Sequence, residues 1–175
     1  MGIKRTLRSY SAPNVDRLFE GASLDQYAAL CYRKTKVGTI EVLLVTSRES
    51  RRWIIPKGWP MDGKAPHEVA EQEAFEEAGV KGKAKRKPLG YFSYLKTMDN
   101  NREGLCIVQV HALKVEEMVD KFREKGQRTA EWVSTSEAAL RVCEPELKGL
   151  FRLLEQRFNG KASRRTSADR SIPAL

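Results

Sequence analysis

Residues 58–80 read GWPMDGKAPHEVAEQEAFEEAGV, and this stretch decides the fold. Its first part combines glycines with prolines and predicts a loop, and Pro66 suits the first turn of a helix that continues to Ala78. Gly79 is well placed to end that helix in a left-handed conformation. The sequence therefore predicts a loop followed by a helix over residues 66–78.

Three glutamates of this helix share one face. Each helical residue turns by about 100°, so Glu73, Glu76 and Glu77 fall within an arc about 100° wide. Like charges at this spacing repel, and Mg²⁺ would compensate them because it binds carboxylate oxygens together with waters and substrate phosphates. Glu68 and Glu71 point elsewhere and are expected to be ordinary solvated residues. Taken alone, such a cluster is more typical of a soluble surface helix than of a metal site.

The spacing of the whole stretch resembles the Nudix box. That motif runs Gly, five residues, Glu, seven residues, Arg-Glu, an apolar residue, any residue, Glu-Glu, any residue, Gly and an apolar residue. The matching residues are Gly58, Glu73, Glu76, Glu77, Gly79 and Val80. Two positions depart from the motif, because Lys64 replaces its first Glu and Gln72 replaces its Arg. These departures alter the support of the three glutamates rather than the glutamates themselves.

Flanking segments extend the resemblance over residues 25–157. EVLLVTSRESRRWIIPKGW (41–59), VKGKAKRKPLGYF (80–92) and TAEWVSTSEAALRV (129–142) look like the diphosphoinositol polyphosphate phosphohydrolase branch of the Nudix hydrolases. Members of that branch also cleave diadenosine polyphosphates. The resemblance implies an enzyme that hydrolyses phosphorus-containing acid anhydrides with the help of Mg²⁺, for which Mn²⁺ is an alternative.

The resemblance also implies roles for individual carboxylates. Glu73, Glu76 and Glu77 are the expected metal ligands, and Glu76 and Glu77 are expected to take part in catalysis. The general base is either a glutamate of the box or a carboxylate outside it, for which Glu131 is the best candidate. A surface carboxylate on an edge strand explains Glu131 equally well.

Basic residues cluster around the expected mouth of the site. The phosphate-binding segments of the family fall at residues 47–48 and 57–59. The predicted substrate-binding residues are Ser47, Arg48, Arg52, Lys57, Gly58, Trp59 and Lys64. Each basic residue taken singly is equally consistent with a solvated loop charge. Together they favour a substrate rich in phosphate.

The order of secondary-structure elements predicts an α+β fold. Hydrophobic and turn patterns predict strands at 26–34, 40–47, 53–55, 87–97, 104–113 and 127–133, and helices at 66–78, 135–142 and 145–158. Because strands and helices do not alternate regularly, we expect an α/β/α sandwich with a mixed sheet between helices. The expected domain spans residues 23–159, between a flexible basic segment (1–22) and a disordered tail (160–175).

Composition limits the cellular setting and the partners. The 175 residues carry a net charge of +9, which favours a polyanionic partner such as a phosphate-rich small molecule or the 5′ end of RNA. No apolar run suits a membrane span or a secretory signal, so a cytoplasmic location is expected. Cys31, Cys106 and Cys143 show no CxxC spacing and are expected to be buried and reduced. His67 and His111 are expected to be structural.

Three functions remain open on the sequence alone. The first is a Mg²⁺-dependent Nudix pyrophosphohydrolase acting on a diphosphoinositol polyphosphate or a diadenosine polyphosphate. The second removes pyrophosphate from the 5′ end of RNA. The third is a non-catalytic Nudix-fold module that binds a polyanion, with Lys64 and Gln72 as marks of lost activity. The retained Glu73, Glu76 and Glu77 favour an enzyme over the binding module.

Overall fold

The computed structural model of this chain describes residues 24–97 and 103–168, with side chains to residue 160. In chain order the elements are β1 (Leu24–Lys34), β2 (Ile40–Thr46), β3 (Trp53–Ile54), β4 (Lys57–Gly58), α1 (Pro66–Ala78), β5 (Val80–Ala84), β6 (Gly90–Thr97), β7 (Glu103–Met118), β8 (Ala130–Ser134), α2 (Thr135–Arg141) and α3 (Pro145–Ala168). The expected flexible segment 1–22 and most of the expected turn between β6 and β7 lie outside the described residues.

The strands form one mixed sheet built around a parallel pair. β1 and β7 run parallel, with Leu24 opposite Cys106 and Tyr32 opposite Lys114. β2 and β4 pair antiparallel with β1, whereas β5 and β6 pair antiparallel with β7. β3 and β8 both pair antiparallel with β2. The predicted mixed sheet is confirmed.

Helices cover both faces of the sheet. Successive residues of a strand point to opposite faces, and in β1 both faces are buried. Ala28 and Leu30 belong to a core that includes Phe151 of α3. Ala29 belongs to a second core that includes Ala74 of α1. The structure places α1 on one face and α2 and α3 on the other. The predicted α/β/α sandwich is therefore confirmed.

Both ends of α1 are fixed by local chemistry. Pro66 begins the helix, and the Oε2 atom of Glu68 accepts a 2.8 Å hydrogen bond from the backbone N–H of Ala65. Gly79 ends it with φ of 67°, and a Cβ at this position would lie 2.4 Å from the carbonyl oxygen of Val119. Glycine is thus required at this end by both conformation and space. The predicted helix 66–78 is confirmed.

The prediction was least accurate in the second half of the sheet. β7 continues to Met118, beyond the expected end at residue 113, because β5 pairs with its second half. β5 reads VKGKA, and its lysines and glycine conceal a strand that pairs through its backbone. The two-residue strand β4 was also not predicted, since its glycine and the neighbouring Pro56 indicate a loop.

The last helix is longer than expected. α3 continues to Ala168, past the domain boundary expected at residue 159, so part of the expected disordered tail is helical. Its mean hydropathy is low because arginines, one lysine and polar residues fill its second half. Within residues 24–97 and 103–168, no helix is both long and apolar enough to span a membrane.

Candidate active site

A cleft of about 740 Å³ opens beside β3, β4 and the carboxylate face of α1. Six of the predicted substrate-binding residues lie in its walls, namely Ser47, Arg48, Arg52, Lys57, Gly58 and Trp59. Glu73 and Glu77 lie in the same walls. The fold therefore brings two predicted metal ligands and most of the predicted substrate-binding residues to one place.

Glu73 and Glu77 are buried in this cleft, one turn apart on α1, with exposed fractions of 8% and 6%. Burial raises the pKa of Glu73 to about 7, and the neighbouring charges of Glu76 and Glu124 add to the shift. Burial also raises the pKa of Glu77, although the Arg128 guanidinium opposes the change. The Oε2 atom of Glu77 has no hydrogen-bond partner among the described residues. This pair would be stabilised by a cation.

Gly58 allows Glu73 to approach the sheet. Gly58 lies opposite Tyr27 in the pairing of β4 with β1, and a Cβ at this position would lie 2.1 Å from the Oε1 atom of Glu73. Any larger residue would have to displace the carboxylate. The first glycine of the 58–80 stretch therefore has a direct steric role in the position of Glu73.

Arg128 organises the cleft from the segment between β7 and β8. Its side chain is 8% exposed, and its Nη2 atom donates a 2.6 Å hydrogen bond to Oε1 of Glu77. Its Nε atom donates to Oε2 of Glu124 at 2.6 Å, and Nη1 donates to the carbonyl oxygen of Thr46 at 2.9 Å. One guanidinium thus joins α1, the end of β2 and the loop before β8. Sequence analysis did not identify Arg128.

Glu76 is buried but is not among the residues that line the cleft. It accepts a 2.5 Å hydrogen bond from Nε2 of Gln72 and a 2.6 Å hydrogen bond from Nη1 of Arg123. Within the described part of the chain, no three His, Cys, Asp or Glu side chains are grouped as a metal site. Gln72 and Arg123 hold Glu76 at the edge of the cleft, and its role as a metal ligand stays a prediction. Two of the three glutamates form the central pair.

Glu131 is not in the cleft. It lies on β8 and pairs through both carboxylate oxygens with Arg141, at 2.6 and 3.2 Å. These hydrogen bonds lower the pKa of Glu131. Glu49, Glu124 and Glu144 are the carboxylates outside α1 that line the cleft, and Oε1 of Glu124 lies 3.7 Å from Nη1 of Arg48. The general-base candidate from the sequence therefore lies in an exposed ion pair.

Lys64 is also outside the cleft. It lines a separate cavity of about 400 Å³ between α1 and β5, together with Glu71 and Gln72. Glu71 is not an ordinary solvated residue, because its Oε1 accepts a 2.8 Å hydrogen bond from the backbone N–H of Ala84 in β5. The Nudix-box departures at Lys64 and Gln72 thus lie together on the β5 side of α1.

A hydrogen-bonded chain lines the floor of the cleft. The Nζ atom of Lys57 donates to the hydroxyl oxygen of Tyr94 at 3.0 Å, and that hydroxyl donates to Oε1 of Gln26 at 2.6 Å. Burial lowers the pKa of Lys57, while the charge of Glu77 partly opposes this shift. Trp59 lies at the rim, with the Lys96 ammonium 5.8 Å from its ring centroid. The floor therefore carries positive charge beside an aromatic surface.

The histidines agree with a structural reading. His111 is fully buried, and its Nδ1 lies 2.7 Å from the carbonyl oxygen of Lys85 and its Nε2 lies 2.9 Å from Nε2 of Gln109. A neutral ring protonated at Nδ1 satisfies both partners. Its ring centroid lies 6.2 Å from that of His67. Neither histidine lines the cleft.

The cysteines agree with the prediction only in part. Cys31 and Cys106 are buried and free, as expected. Cys143 is exposed and also free, because it lies in the short connection between α2 and α3. The expectation of burial was therefore wrong for Cys143.

Sequence reasoning missed several residues of the cleft, namely Gln26, Tyr94, Glu124, Arg128 and Glu144. They come from β1, from β6, from the segment between β7 and β8 and from the residue before α3, and the sheet topology brings them to the cleft. Arg128 fell inside a predicted strand over 127–133, whereas β8 begins at Ala130. No local pattern distinguishes these residues from surface charges or strand residues.

The fold and the carboxylate-lined cleft define a Nudix-type protein, and comparison with known proteins agrees. The family model of the NUDIX domain matches residues 25–154, and the chain belongs to the Nudix hydrolase family. Nudix hydrolase 12, mitochondrial, from Arabidopsis thaliana is 32% identical over 143 residues, which cover 77% of this chain and 70% of that protein. Diphosphoinositol polyphosphate phosphohydrolase 3-beta from Bos taurus is 35% identical over 130 residues, which cover 72% of this chain and 74% of that protein.

Solved structures show the same fold. A binary complex of a C. elegans Ap4A hydrolase superposes with a TM-score of 0.59 at 20% identity, covering 78% of this chain and 98% of that chain. The NUDIX domain of Shewanella oneidensis NrtR, complexed with ADP ribose, superposes with a TM-score of 0.58 at 12% identity, covering 78% and 88%. These likenesses establish the architecture of the chain.

Proposed function

We propose that this Nudix hydrolase is a Mg²⁺-dependent pyrophosphohydrolase that cleaves a phosphoanhydride bond in a polyphosphorylated substrate. The observation that carries the proposal is the buried pair of Glu73 and Glu77 in a cleft whose walls contain Arg48, Arg52 and Lys57. Carboxylates beside basic residues suit a substrate that carries several phosphates together with a divalent cation.

The residues present fit a divalent cation. The Oε2 atom of Glu77 is buried without a hydrogen-bond partner in the described ranges, and burial raises the pKa of both Glu73 and Glu77. A hard cation favours carboxylate oxygens and would stabilise the ionised forms. We assign Glu73 and Glu77 as its principal ligands, with Mn²⁺ as an alternative to Mg²⁺. When bound, the cation would polarise the phosphoryl group and offset the negative charge of the pyrophosphate.

The residues around this pair have separate roles. Glu76 acts as a positioning residue, because its hydrogen bonds with Gln72 and Arg123 join α1 to the segment between β7 and β8. Arg128 holds the Glu77 carboxylate in place. Arg48 and Lys57 bind the phosphates, Arg52 lies in the same wall and pairs with Glu144 at 3.6 Å, and Ser47, Gly58 and Trp59 complete the walls. These assignments follow from position in the cleft.

Glu124 replaces Glu131 as the proposed proton acceptor. In hydrolysis, the oxygen of water forms the new bond to phosphorus, and the bridging oxygen leaves with the other phosphate. The proton lost by the water passes to a nearby base. Among the cleft carboxylates outside α1, Glu124 is the one that shares the Arg128 guanidinium with Glu77, and Arg128 fixes one of its oxygens. Its position supports this role better than that of Glu131.

The relatives supply the candidate substrates. The names of two matched proteins refer to diphosphoinositol polyphosphate and to Ap4A, and both compounds contain phosphoanhydride bonds. Either substrate would use the same carboxylate pair and the same basic walls. The cytoplasmic location stays a prediction, since one relative is named as mitochondrial.

The first experiment measures the adenosine nucleotides formed from diadenosine hexaphosphate and the phosphate released from a diphosphoinositol pentakisphosphate, with and without Mg²⁺. We expect Mg²⁺-dependent cleavage of at least one compound, and loss of that cleavage in Glu77→Gln. Glu124→Gln should lose most activity, whereas the matched control Glu131→Gln should keep it. Equal losses in the last two variants would contradict the role assigned to Glu124.

Failure on both compounds leads to a defined second assay. Triphosphorylated RNA is then tested for release of pyrophosphate. Cleavage there would replace the proposed small-molecule substrates by RNA 5′ ends. If all three compounds bind with unchanged affinity in the absence of Mg²⁺ and none is cleaved, the chain is a binding module and the proposed enzyme function is wrong.

A further inference from the structure

Glu144 is a buried carboxylate in the cleft that the proposed chemistry does not use. It immediately precedes α3, is 7% exposed and lines the same cleft as Glu73 and Glu77. Its Oε1 lies 3.6 Å from Nη2 of Arg52. Its Oε2 has no hydrogen-bond partner in the part of the chain that the structure describes. A buried acceptor without a donor is unfavourable, so this carboxylate suits a ligand that brings a donor.

Neighbouring side chains do not fill this need. The Tyr94 hydroxyl donates its hydrogen bond to Gln26, and the Lys57 ammonium donates a hydrogen bond to Tyr94. Tyr94 lies near enough for the charge of Glu144 to contribute to its raised pKa, after burial and the neighbouring Cys106. Phe92 lines the cleft beside Tyr94, with 6.4 Å between the ring centroids. This part of the cleft therefore combines aromatic surface with an unused acceptor.

The charges of the cleft suggest an orientation for the substrate. Arg48 and Lys57 offer positive charge to phosphates, whereas Glu144 presents negative charge beside aromatic rings. A phosphorylated inositol ring carries phosphates around the ring, and like charges brought together are strongly unfavourable. A nucleoside is uncharged, presents N–H and O–H donors, and has a flat base that packs on aromatic rings.

We propose that Glu144 selects substrates whose non-reacting end is a nucleoside, so that this chain acts on nucleoside polyphosphates in preference to diphosphoinositol polyphosphates. The inference rests on the proposed hydrolase function and names its substrate class. Glu144 accepts a hydrogen bond from the base or the ribose, and it repels a phosphorylated ring. Arg52 holds the other carboxylate oxygen and keeps the side chain in the cleft.

The test compares kcat/KM for diadenosine hexaphosphate and a diphosphoinositol pentakisphosphate in four proteins. These are the wild type, Glu144→Gln, Glu144→Lys and the control Glu49→Gln, which removes an exposed carboxylate from the same cleft. We expect the wild type to prefer the dinucleotide. Glu144→Gln should lower this preference about tenfold, and Glu144→Lys should lower it by about a hundredfold. Glu49→Gln should leave the preference unchanged.

Two additional measurements keep the result decisive. Thermal melting identifies any variant that has lost its fold, and Glu144→Gln is nearly equal in shape to the wild type. Dissociation constants for both compounds are measured by calorimetry in the Glu77→Gln background, with and without Glu144→Gln. An unchanged preference in a folded Glu144→Gln protein, by kinetics and by binding, would overturn the proposal.

The two proposals fail in different ways. If the wild type cleaves neither compound, the hydrolase assignment fails, and the ratio of the two dissociation constants still tests the role of Glu144. If both compounds are cleaved and Glu49→Gln changes the preference as much as Glu144→Gln, the effect is one of net charge. That result would overturn the selective role of Glu144 while leaving the hydrolase assignment in place.

Discussion

The two sides of α1 carry carboxylates in different states. On the β5 side, Glu71 accepts the backbone N–H of Ala84, and at the edge of the cleft Glu76 accepts hydrogen bonds from Gln72 and Arg123. On the cleft side, burial raises the pKa of Glu73 to about 7, and Glu77 retains an oxygen without a partner in the described structure. Carboxylates whose hydrogen bonds are supplied by the protein stabilise the fold. Buried carboxylates that lack a partner or have a raised pKa are candidates for the functional site.

Exchanging one carboxylate on each side tests this comparison most strongly. Glu73→Gln removes a charge that the cleft keeps for a cation, so we expect activity to fall at least a hundredfold and Mg²⁺ binding to weaken. Glu71→Gln keeps an oxygen that can accept from the N–H of Ala84, so activity should remain near that of the wild type. Steady-state kinetics and calorimetry with Mg²⁺ measure both effects. Similar losses in the two variants would remove the distinction between the sides.

Removing the Arg128 guanidinium from the cleft should lower the free energy of unfolding. Arg128→Met leaves Glu77 and Glu124 buried without their guanidinium, and we expect the free energy of unfolding to fall by about 3–5 kcal/mol. The control Arg141→Met breaks exposed ion pairs with Glu131 and Glu137, so it should change the free energy of unfolding little. Urea denaturation measures both variants. A small effect of Arg128→Met would mean that Glu77 and Glu124 do not depend on the guanidinium for the stability of the fold.

Substitution of Gly58 tests the position of the Glu73 carboxylate without altering any charge. The added methyl group of Gly58→Ala would meet the Glu73 carboxylate, which is a movable side chain. We therefore expect activity to fall about tenfold to a hundredfold with little loss of stability. Gly149→Ala is the control, since its Cβ meets nothing within 4 Å and helix α3 should tolerate or gain from it. Kinetics and thermal melting of both variants give the result, and full activity of Gly58→Ala would contradict the steric role.

The smallest effect concerns a buried group that is fully satisfied while neutral. Burial is the main cause that lowers the pKa of His111 below 6.5, with a contribution from His67, while the bond to Lys85 opposes the shift. Below about pH 6.5 the unfolded chain binds a proton that the folded chain does not, so this contribution to stability is present above that pH and is lost as pH falls. The stability advantage of the wild type over His111→Gln should narrow between pH 7 and pH 5.5 in urea titrations. A constant difference would exclude the linkage.

The sequence predicted what depends on neighbours along the chain. The periodicity and the capping residues of α1 placed Glu73 and Glu77 on one face, and the glycine at residue 79 ended the helix where it ends. The runs of β-favouring residues at 26–34 and 40–47 predicted the core strands β1 and β2. These features follow from spacing within a few residues, which local chemistry controls.

Distant contacts could not be predicted in this way. Helical geometry places Glu76 on the same face as Glu73 and Glu77. Its hydrogen-bond partner Arg123 lies 47 residues further along the chain and could not be identified from local spacing. Glu131 stands at a strand end, but its partner Arg141 is supplied by the following helix. Lys64 follows the motif in spacing and lies beside β5, a strand hidden by its lysines. In each case the deciding partner is set by topology.

The parallel pairing of β1 with β7 has a consequence for the order in which the chain acquires structure. Leu24 must meet Cys106 and Tyr32 must meet Lys114, so the first strand waits for a partner that is synthesised much later. Closing such a long loop is costly in entropy and slows folding. During translation the edge of β1 that pairs with β7 therefore stays unpaired until β7 has left the ribosome, and an unpaired strand edge favours aggregation of the nascent chain.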